Sequence, residues 1–327
     1  MSIGKTWRSA LHPRVVLPVL LAAALFMVAI SLGDLGQVVG RIKVVPVGSM
    51  ALVLGFAVLY LLFKALQLHL LLNDLEAHPG WRRFALAFAV GELALTFPLG
   101  IFAQNWVLAG KKGMHFGRSS AATVVMLVME VVVALLWLAI NGVPGWEPVR
   151  PAAAAMLVGM VICGFALLRF RLLDRLATRM AHHRVHRILD EGVGLLHGLE
   201  KLGKWRVLGI NLLVTAAYLG ALGAAFWVMG HGMGLQGLSY REAATIYAFA
   251  LASVLVSGGL FGQIGTVEVI GMSAARAWGL DYTMGLALML GFRLAWTGAM
   301  WLLNGTLAAV LWRKVRLSVD GGEKTGD

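Results

Sequence analysis

Five ionisable side chains stand inside long apolar stretches of this chain, where an uncompensated charge is costly. They are Lys64, Glu92, Glu130, Glu268 and Arg293. Ionisable residues at membrane depth pair with one another or mark the path of an ion or a substrate. Each is therefore a candidate for a transport site, and the alternative is a structural ion pair between helices. Lys64 is expected near the cytoplasmic end of its helix, where its side chain would extend to the interface.

Glu268 directly follows a break in the apolar segment 243–279. The break has the sequence SGGLFGQIG, residues 257–265. Glycine permits tight backbone geometry, and non-helical backbone inside a membrane is tolerated only where protein or a water-filled cavity satisfies its polar groups. A ligand or water could supply those partners. We therefore expect a substrate-binding turn formed by Gly262, Gln263 and Gly265.

Glu268 and Arg293 are hypothesised to face one polar cavity beside this break. Their charges must be balanced by each other, by Glu130, or by a lipid headgroup with water. Glu130 and Arg293 occupy roughly corresponding helices of the two halves, so they could also pair across the axis between the halves. An anionic headgroup would bind Arg293, and Glu268 could then repel it, release it, or carry a proton.

A second break interrupts the apolar segment 84–110 at TFPLG, residues 96–100. Pro98 removes a backbone donor and clashes with the preceding turn. Pro98 is a candidate substrate-binding residue, and so are the amides Gln104 and Asn105 that follow it. Basic loops flank this segment on both sides, so the segment must enter the membrane and return, and the later broken segment does the same from the other face. Broken segments in matching positions of two halves are typical of inverted-repeat transporters.

Composition indicates the class of protein to which these segments belong. Hydrophobic residues make up 59% of the 327 and charged residues 13%, whereas soluble domains carry about 25% charged residues. Several apolar runs, such as 119–140 and 207–230, exceed the roughly 18 residues needed to span a bilayer. We predict an all-α, polytopic membrane helical bundle with two inverted, re-entrant broken-helix segments.

The predicted segments run through the whole chain as a single integral membrane domain, 1–327. They are 15–33 outward, 47–72 inward, 84–110 broken, 119–140 outward, 149–170 inward, 207–230 outward, 243–279 broken and 283–312 inward. The predicted parts are a first half-repeat at 1–148, a second half-repeat at 149–312 that includes a cytoplasmic basic stretch at 171–206, and a cytoplasmic tail at 313–327.

The positive residues behind the net charge of +12 are distributed according to this membrane topology, which argues against a nucleic-acid-binding surface. Lysine and arginine are concentrated in the N-terminal tail, the stretch 169–206 and the C-terminal tail, which predicts that all three are cytoplasmic. We expect a multi-pass protein of the bacterial cytoplasmic (inner) membrane. His182, His186 and Asp190 share a helix face with zinc-like spacing, but the surrounding arginines favour a basic helix on anionic lipid. No metal and no cofactor are expected.

The broken segments resemble a known family. GQIGTVE, residues 262–268, resembles the Gly-Gly-Leu-Gly-x-x-Glu signature of the lysylphosphatidylglycerol synthase transmembrane-region family, whose members are flippase-like integral membrane proteins. FPLG, AGKKG and AATVVMLVME are similar to its first block, and Gly279 and Arg293 match a later glycine and arginine. Gln104 and Asn105 stand where members often carry charged residues. The resemblance implies movement of lipids or lipid-linked sugars between leaflets.

No nucleotide-binding loop, nucleophile elbow or HExxH motif occurs in the sequence. Lipid aminoacylation in fused relatives needs a soluble domain after the membrane region, and only a short tail follows Trp312, so the chain is not expected to be an enzyme. We expect a flippase-like transporter that moves a polar-headgroup lipid, anionic or lipid-linked, through a midplane cavity. The alternative is a non-catalytic partner or scaffold of a lipid- or sugar-modifying enzyme.

Overall fold

The structure is a computed structural model that describes residues 34–95, 100–109, 115–169, 186–256 and 265–320. Several predictions fall wholly or partly elsewhere: the first span, 15–33, the middle of each break, His182 of the zinc-like cluster, residues 171–185 of the basic stretch and the end of the C-terminal tail. Pro98, Gly262 and Gln263 therefore lie outside the described residues.

Eleven α-helices and no strand are found within the described ranges. They are α1 (Leu35–Lys43), α2 (Val47–Asp74), α3 (Trp81–Ala94), α4 (Ala103–Ala109), α5 (Phe116–Asn141), α6 (Val149–Arg169), α7 (His186–Leu202), α8 (Trp205–Gly232), α9 (Tyr240–Val256), α10 (Thr266–Ala275) and α11 (Tyr282–Asp320). Two 3₁₀ turns, Gly100–Phe102 and Arg276–Trp278, adjoin α4 and α10.

Five of these helices, α2, α5, α6, α8 and α11, are long and apolar enough to cross a membrane. They coincide with the predicted spans 47–72, 119–140, 149–170, 207–230 and 283–312, with small differences at the ends. The prediction of an all-α, multi-pass membrane protein is confirmed.

The two central helices, α2 and α8, pack antiparallel along their full lengths. Ser49 near the start of α2 lies against Gly232 at the end of α8, where a Cβ would come within 2.9 Å of the serine hydroxyl. Farther along, the Gln67 amide donates a hydrogen bond to Thr215 at 2.8 Å. The glycine thus permits close approach of the two helices at one end, and a buried polar pair fixes their register towards the other.

Each broken segment forms two helices that pack against each other. Helix α3 contacts α4, and α9 contacts α10. The helix ends at Ala94 and Val256 fall just before the two predicted breaks, so neither segment is one continuous spanning helix. Helix α3 also packs on α11 and α9 on α5, which places each broken segment against a long helix from the other half of the chain.

Two short helices lie beside the bundle, and the sequence reasoning did not predict α1. Asp34 caps α1, because its carboxylate accepts hydrogen bonds from the backbone N–H groups of Gly36 and Gln37, and the Gln37 N–H in particular holds the pKa of Asp34 below its ordinary value. Val38 on this helix packs with residues of α10 and α11. Helix α7 packs on α5, where Glu191 accepts a hydrogen bond from the Gly117 backbone at 2.5 Å.

Candidate functional site

The site is built around a buried lysine. Lys64 lies in the middle of α2, and only 1% of its side chain is exposed. Its Nζ atom lies 3.2 Å from Glu92 Oε1 on α3 and 3.3 Å from Glu130 Oε1 on α5. Nζ also donates a hydrogen bond to the Tyr60 hydroxyl, one helical turn earlier, at 2.7 Å. One ammonium therefore joins three helices, α2, α3 and α5.

The expectation for Lys64 was wrong. Its side chain does not extend to an interface, because its position on α2 faces α3 and α5, where two carboxylates replace water as its partners. The structure also does not contain the suggested pair of Glu130 and Arg293. Glu130 binds Lys64 and accepts a second hydrogen bond from Tyr218 of α8 at 2.9 Å.

Aromatic rings enclose this ion cluster. Tyr60 of α2 and Tyr218 of α8 meet edge to face, with ring centroids 5.3 Å apart, and Trp296 of α11 packs on Tyr60 at 5.2 Å. Lys64 Nζ lies 5.1 Å from the centroid of the Tyr60 ring, a distance at which a cation is attracted to the ring face. Sequence reasoning missed both tyrosines, although Tyr60 stands four residues before Lys64 and therefore on the same face of α2.

A second ion pair joins α10 to α11. Arg293 Nη1 lies 2.7 Å from Glu268 Oε1, so the two residues pair directly. The other oxygen of Glu268 accepts a hydrogen bond from the Gly265 backbone N–H at 2.7 Å. Gly265 has a φ of +86°, a conformation that favours glycine. Glu268 thus fixes the first turn of α10, immediately after the break, and holds Arg293 beside it.

Lys64 with its two glutamates and Arg293 of the second pair border one cavity of about 120 Å³, large enough for several water molecules. Its charged lining residues are Lys64, Glu92, Glu130 and Arg293. Glu268 is 1% exposed and lies behind Arg293 rather than in the lining. The cavity extends along α11 to Trp301, which is 55% exposed on the outside of the bundle. A polar space inside the bundle therefore reaches towards the lipid-facing surface.

The predicted amides Gln104 and Asn105 lie at a helix interface instead of in this lining. Gln104 donates to Thr123 at 2.8 Å, and Asn105 donates to Thr123 and to Ser120 at 3.0 and 3.2 Å. Gln104 also fits against Gly91, where a Cβ would lie 2.9 Å from the Gln104 side-chain oxygen. In this conformation the two amides join α4 to α5 and pack α4 closely on α3.

The comparisons with known proteins agree with this architecture. The sequence model of the Lysylphosphatidylglycerol synthase TM region family matches residues 15–303. The chain therefore belongs to this family of membrane proteins, as its broken segments and Arg293 suggested. No curated protein and no solved structure shows a significant match to the chain.

Proposed function

We propose that the protein moves a polar-headgroup lipid between the two leaflets of a membrane, with the charged cavity as its headgroup site. The observation that carries the proposal is a cavity that has buried charges at its inner end and an exposed tryptophan at its outer end. Charges are expensive inside a bilayer and mark substrate paths there. The name of the family refers to a lipid, which favours a lipid over a soluble solute as the substrate.

Arg293 is the group that would bind the headgroup. It lines the cavity, and 22% of its side chain is exposed although its partner Glu268 is buried. A guanidinium presents several donors in a planar fork that matches phosphate oxygens. We therefore propose an anionic phospholipid or a lipid-linked phosphate as the substrate. Glu268 would keep the guanidinium in place at the edge of the cavity that the headgroup enters.

The proposed setting is the bacterial cytoplasmic membrane, with both termini on the cytoplasmic side. The support is the lysine and arginine asymmetry of the sequence. No role as an enzyme is proposed, because the cavity lining offers ion pairs and aromatic rings, and the sequence carries no recognised catalytic motif. A scaffold for a lipid-modifying enzyme is the alternative function, and it requires no headgroup path.

The test is lipid transfer in reconstituted liposomes. Purified protein is inserted into liposomes that contain fluorescent phosphatidylglycerol, and an external reductant measures how fast the inner-leaflet probe becomes accessible. We expect wild-type protein to accelerate transfer over protein-free liposomes. Arg293→Lys, which keeps the charge but not the fork, should slow transfer about tenfold or more, since a charge-assisted hydrogen bond contributes about 1.5–3 kcal/mol.

Arg276→Lys is the matched control. Arg276 stacks on Tyr282, with its guanidinium carbon 4.3 Å from the ring centroid, and does not line the cavity. The Arg276→Lys variant should leave the rate of lipid transfer unchanged. If liposomes with the wild-type protein transfer lipid no faster than protein-free liposomes, the proposed transport function is refuted. A partner enzyme whose loss reproduces the deletion phenotype would then favour the scaffold.

A further inference from the structure

The buried charges around the cavity do not balance. The two ion clusters at the cavity comprise two basic residues, Lys64 and Arg293, and three acidic ones, Glu92, Glu130 and Glu268. Arg293 pairs with Glu268 at 2.7 Å, so this pair is neutral. Lys64 faces both Glu92 and Glu130 within 3.3 Å. The cluster of Lys64, Glu92 and Glu130, here called the lysine triad, therefore carries one negative charge in excess when both carboxyls are ionised.

Among the described residues, the lining of the cavity and the contacts of the lysine triad named above include no basic side chain besides Lys64 and Arg293. The ionisable side chains that line this cavity, or bind a side chain that does, come from seven helices: Tyr60 and Lys64 of α2, Glu92 of α3, Glu130 of α5, Tyr218 of α8, Tyr247 of α9, Glu268 of α10 and Arg293 of α11. The two break stretches outside the described ranges, 96–99 and 257–264, contain no ionisable residue in the sequence. An excess negative charge at this depth is strongly unfavourable.

We infer that the lysine triad is a proton-binding site, in which Glu92 and Glu130 share one proton beside the Lys64 ammonium. A proton fits better than a metal ion, because Lys64 Nζ already occupies the position between the two carboxylates. No group of residues in the described ranges has the arrangement of a metal site. The proton belongs to the pair of carboxyls rather than to either one, since they compete for the same ammonium.

The lysine triad and Arg293 line the same cavity, so their charges act on whatever enters it. With the proton bound, the triad is neutral and an anionic headgroup meets only the arginine and its partner. Without the proton, the triad repels that headgroup. Proton and headgroup therefore favour each other's binding, and this linkage is reciprocal. This second step rests on the proposed lipid-binding function, whereas the proton site itself does not.

The proton site is tested by infrared spectroscopy of the full chain in lipid nanodiscs at neutral pH. A protonated carboxyl gives a C=O stretching band that an ionised one lacks. We expect one such carboxyl in the wild type and none in Glu92→Gln or Glu130→Gln, because either change leaves one carboxylate for one ammonium. Lys64→Met should give two protonated carboxyls. Glu200→Gln, which removes an exposed carboxylate of α7, should leave the band unchanged.

The linkage is tested with short-chain phosphatidylglycerol as the probe, using tryptophan fluorescence because Trp296 and Trp301 line the cavity. Affinity should fall as pH rises, by at most about tenfold per pH unit for one proton, and should not depend on pH in Glu92→Gln. No band in the wild type, or an unchanged band in Glu92→Gln, would overturn the proton site. A normal band with pH-independent lipid binding would overturn only the linkage, and a normal band without lipid binding would instead contradict the proposed function.

Discussion

Replacing Lys64 by methionine removes the charge on which the lysine triad depends. Methionine has a similar length and an apolar side chain, so the change deletes the ammonium while largely filling its volume. Glu92 and Glu130 then lose their common partner, and each is almost completely buried, with 3% and 9% of its side chain exposed. Glu130 keeps the hydrogen bond from Tyr218. The variant therefore tests the energetic consequence of two unpaired acids in the bundle.

The expected loss of stability is large. Removing one partner of a buried ion pair typically destabilises a protein by about 3–5 kcal/mol, because the remaining charge is left without compensation. Here two carboxyls are affected, but proton uptake relieves part of the cost. The loss relative to wild type should therefore lie in this range at neutral pH. It should shrink as the pH falls, since protonated carboxyls no longer need a cation.

The measurement is unfolding in mixed micelles with increasing dodecyl sulfate, followed by tryptophan fluorescence. The matched control is Lys201→Met. Lys201 also pairs with a glutamate, Glu76, at 2.8 Å, but 76% of the glutamate side chain is exposed. Exposed ion pairs contribute little, because water and salt screen them. This control should unfold like the wild type.

A rescue variant separates lost charge balance from lost packing. Lys64→Met combined with Glu92→Gln and Glu130→Gln removes every charge of the lysine triad. Apolar or neutral replacements of a whole buried ion cluster are often neutral or stabilising, so most of the lost stability should return. If Lys64→Met is as stable as the wild type, or if the triple variant is less stable than the single one, the reasoning about buried charge is refuted.

Three further predictions concern other parts of the molecule. Glu268→Gln should keep the fold and the hydrogen bond to Gly265 yet slow lipid transfer, since it weakens the ion pair that positions Arg293; normal transfer in Glu268→Gln together with misfolding of Glu268→Leu would mark the residue as purely structural. Single cysteines at Arg179 and Gly145, with the native cysteine removed, should react with impermeant reagents from opposite sides, and labelling of both from the periplasm would overturn the topology. Acidification should weaken the Asp34 cap, because the pKa of this carboxyl is lowered in the folded state: its stabilising effect is present above the ordinary pKa of aspartate and is lost as the pH falls through the folded-state pKa. Hydrogen exchange in α1 should therefore rise on acidification in the wild type, and Asp34→Asn should remove this pH dependence.

Much of the fold could be predicted because long apolar runs leave few alternatives. A run such as 207–230 must be a helix if it crosses a bilayer, and the structure places α8 there. The breaks were visible because proline and glycine act on the backbone locally. Helix α1 was missed because its nine residues are amphipathic and too short to give a spanning signal. The re-entrant path of the chain at the breaks and the division into half-repeats stay predictions.

The site could be predicted only in part, because ion pairs depend on which helix faces which. The pairing of Glu268 with Arg293 was one of three alternatives that the sequence left open, and it is the one that the structure has. Lys64 gave no such clue, because a lysine in an apolar helix has the same local sequence whether it faces the interface or two acids. Its true partners are 28 and 66 residues away along the chain, and no helical spacing reports a contact of that kind.

The two central helices show how one framework carries two different cavities. Helices α2 and α8 are each 28 residues long, and Tyr60 and Tyr218 occupy the same position in each. The residue one turn later is Lys64 in α2 but Leu222 in α8. On the side of α8 that faces α5 and α9 lies a second cavity, of about 170 Å³, lined mainly by apolar residues. Leu222 and Tyr247 border both cavities. The charged cavity and the apolar cavity thus share a wall, but the carboxylates, the lysine and the arginine lie in the lining of the first.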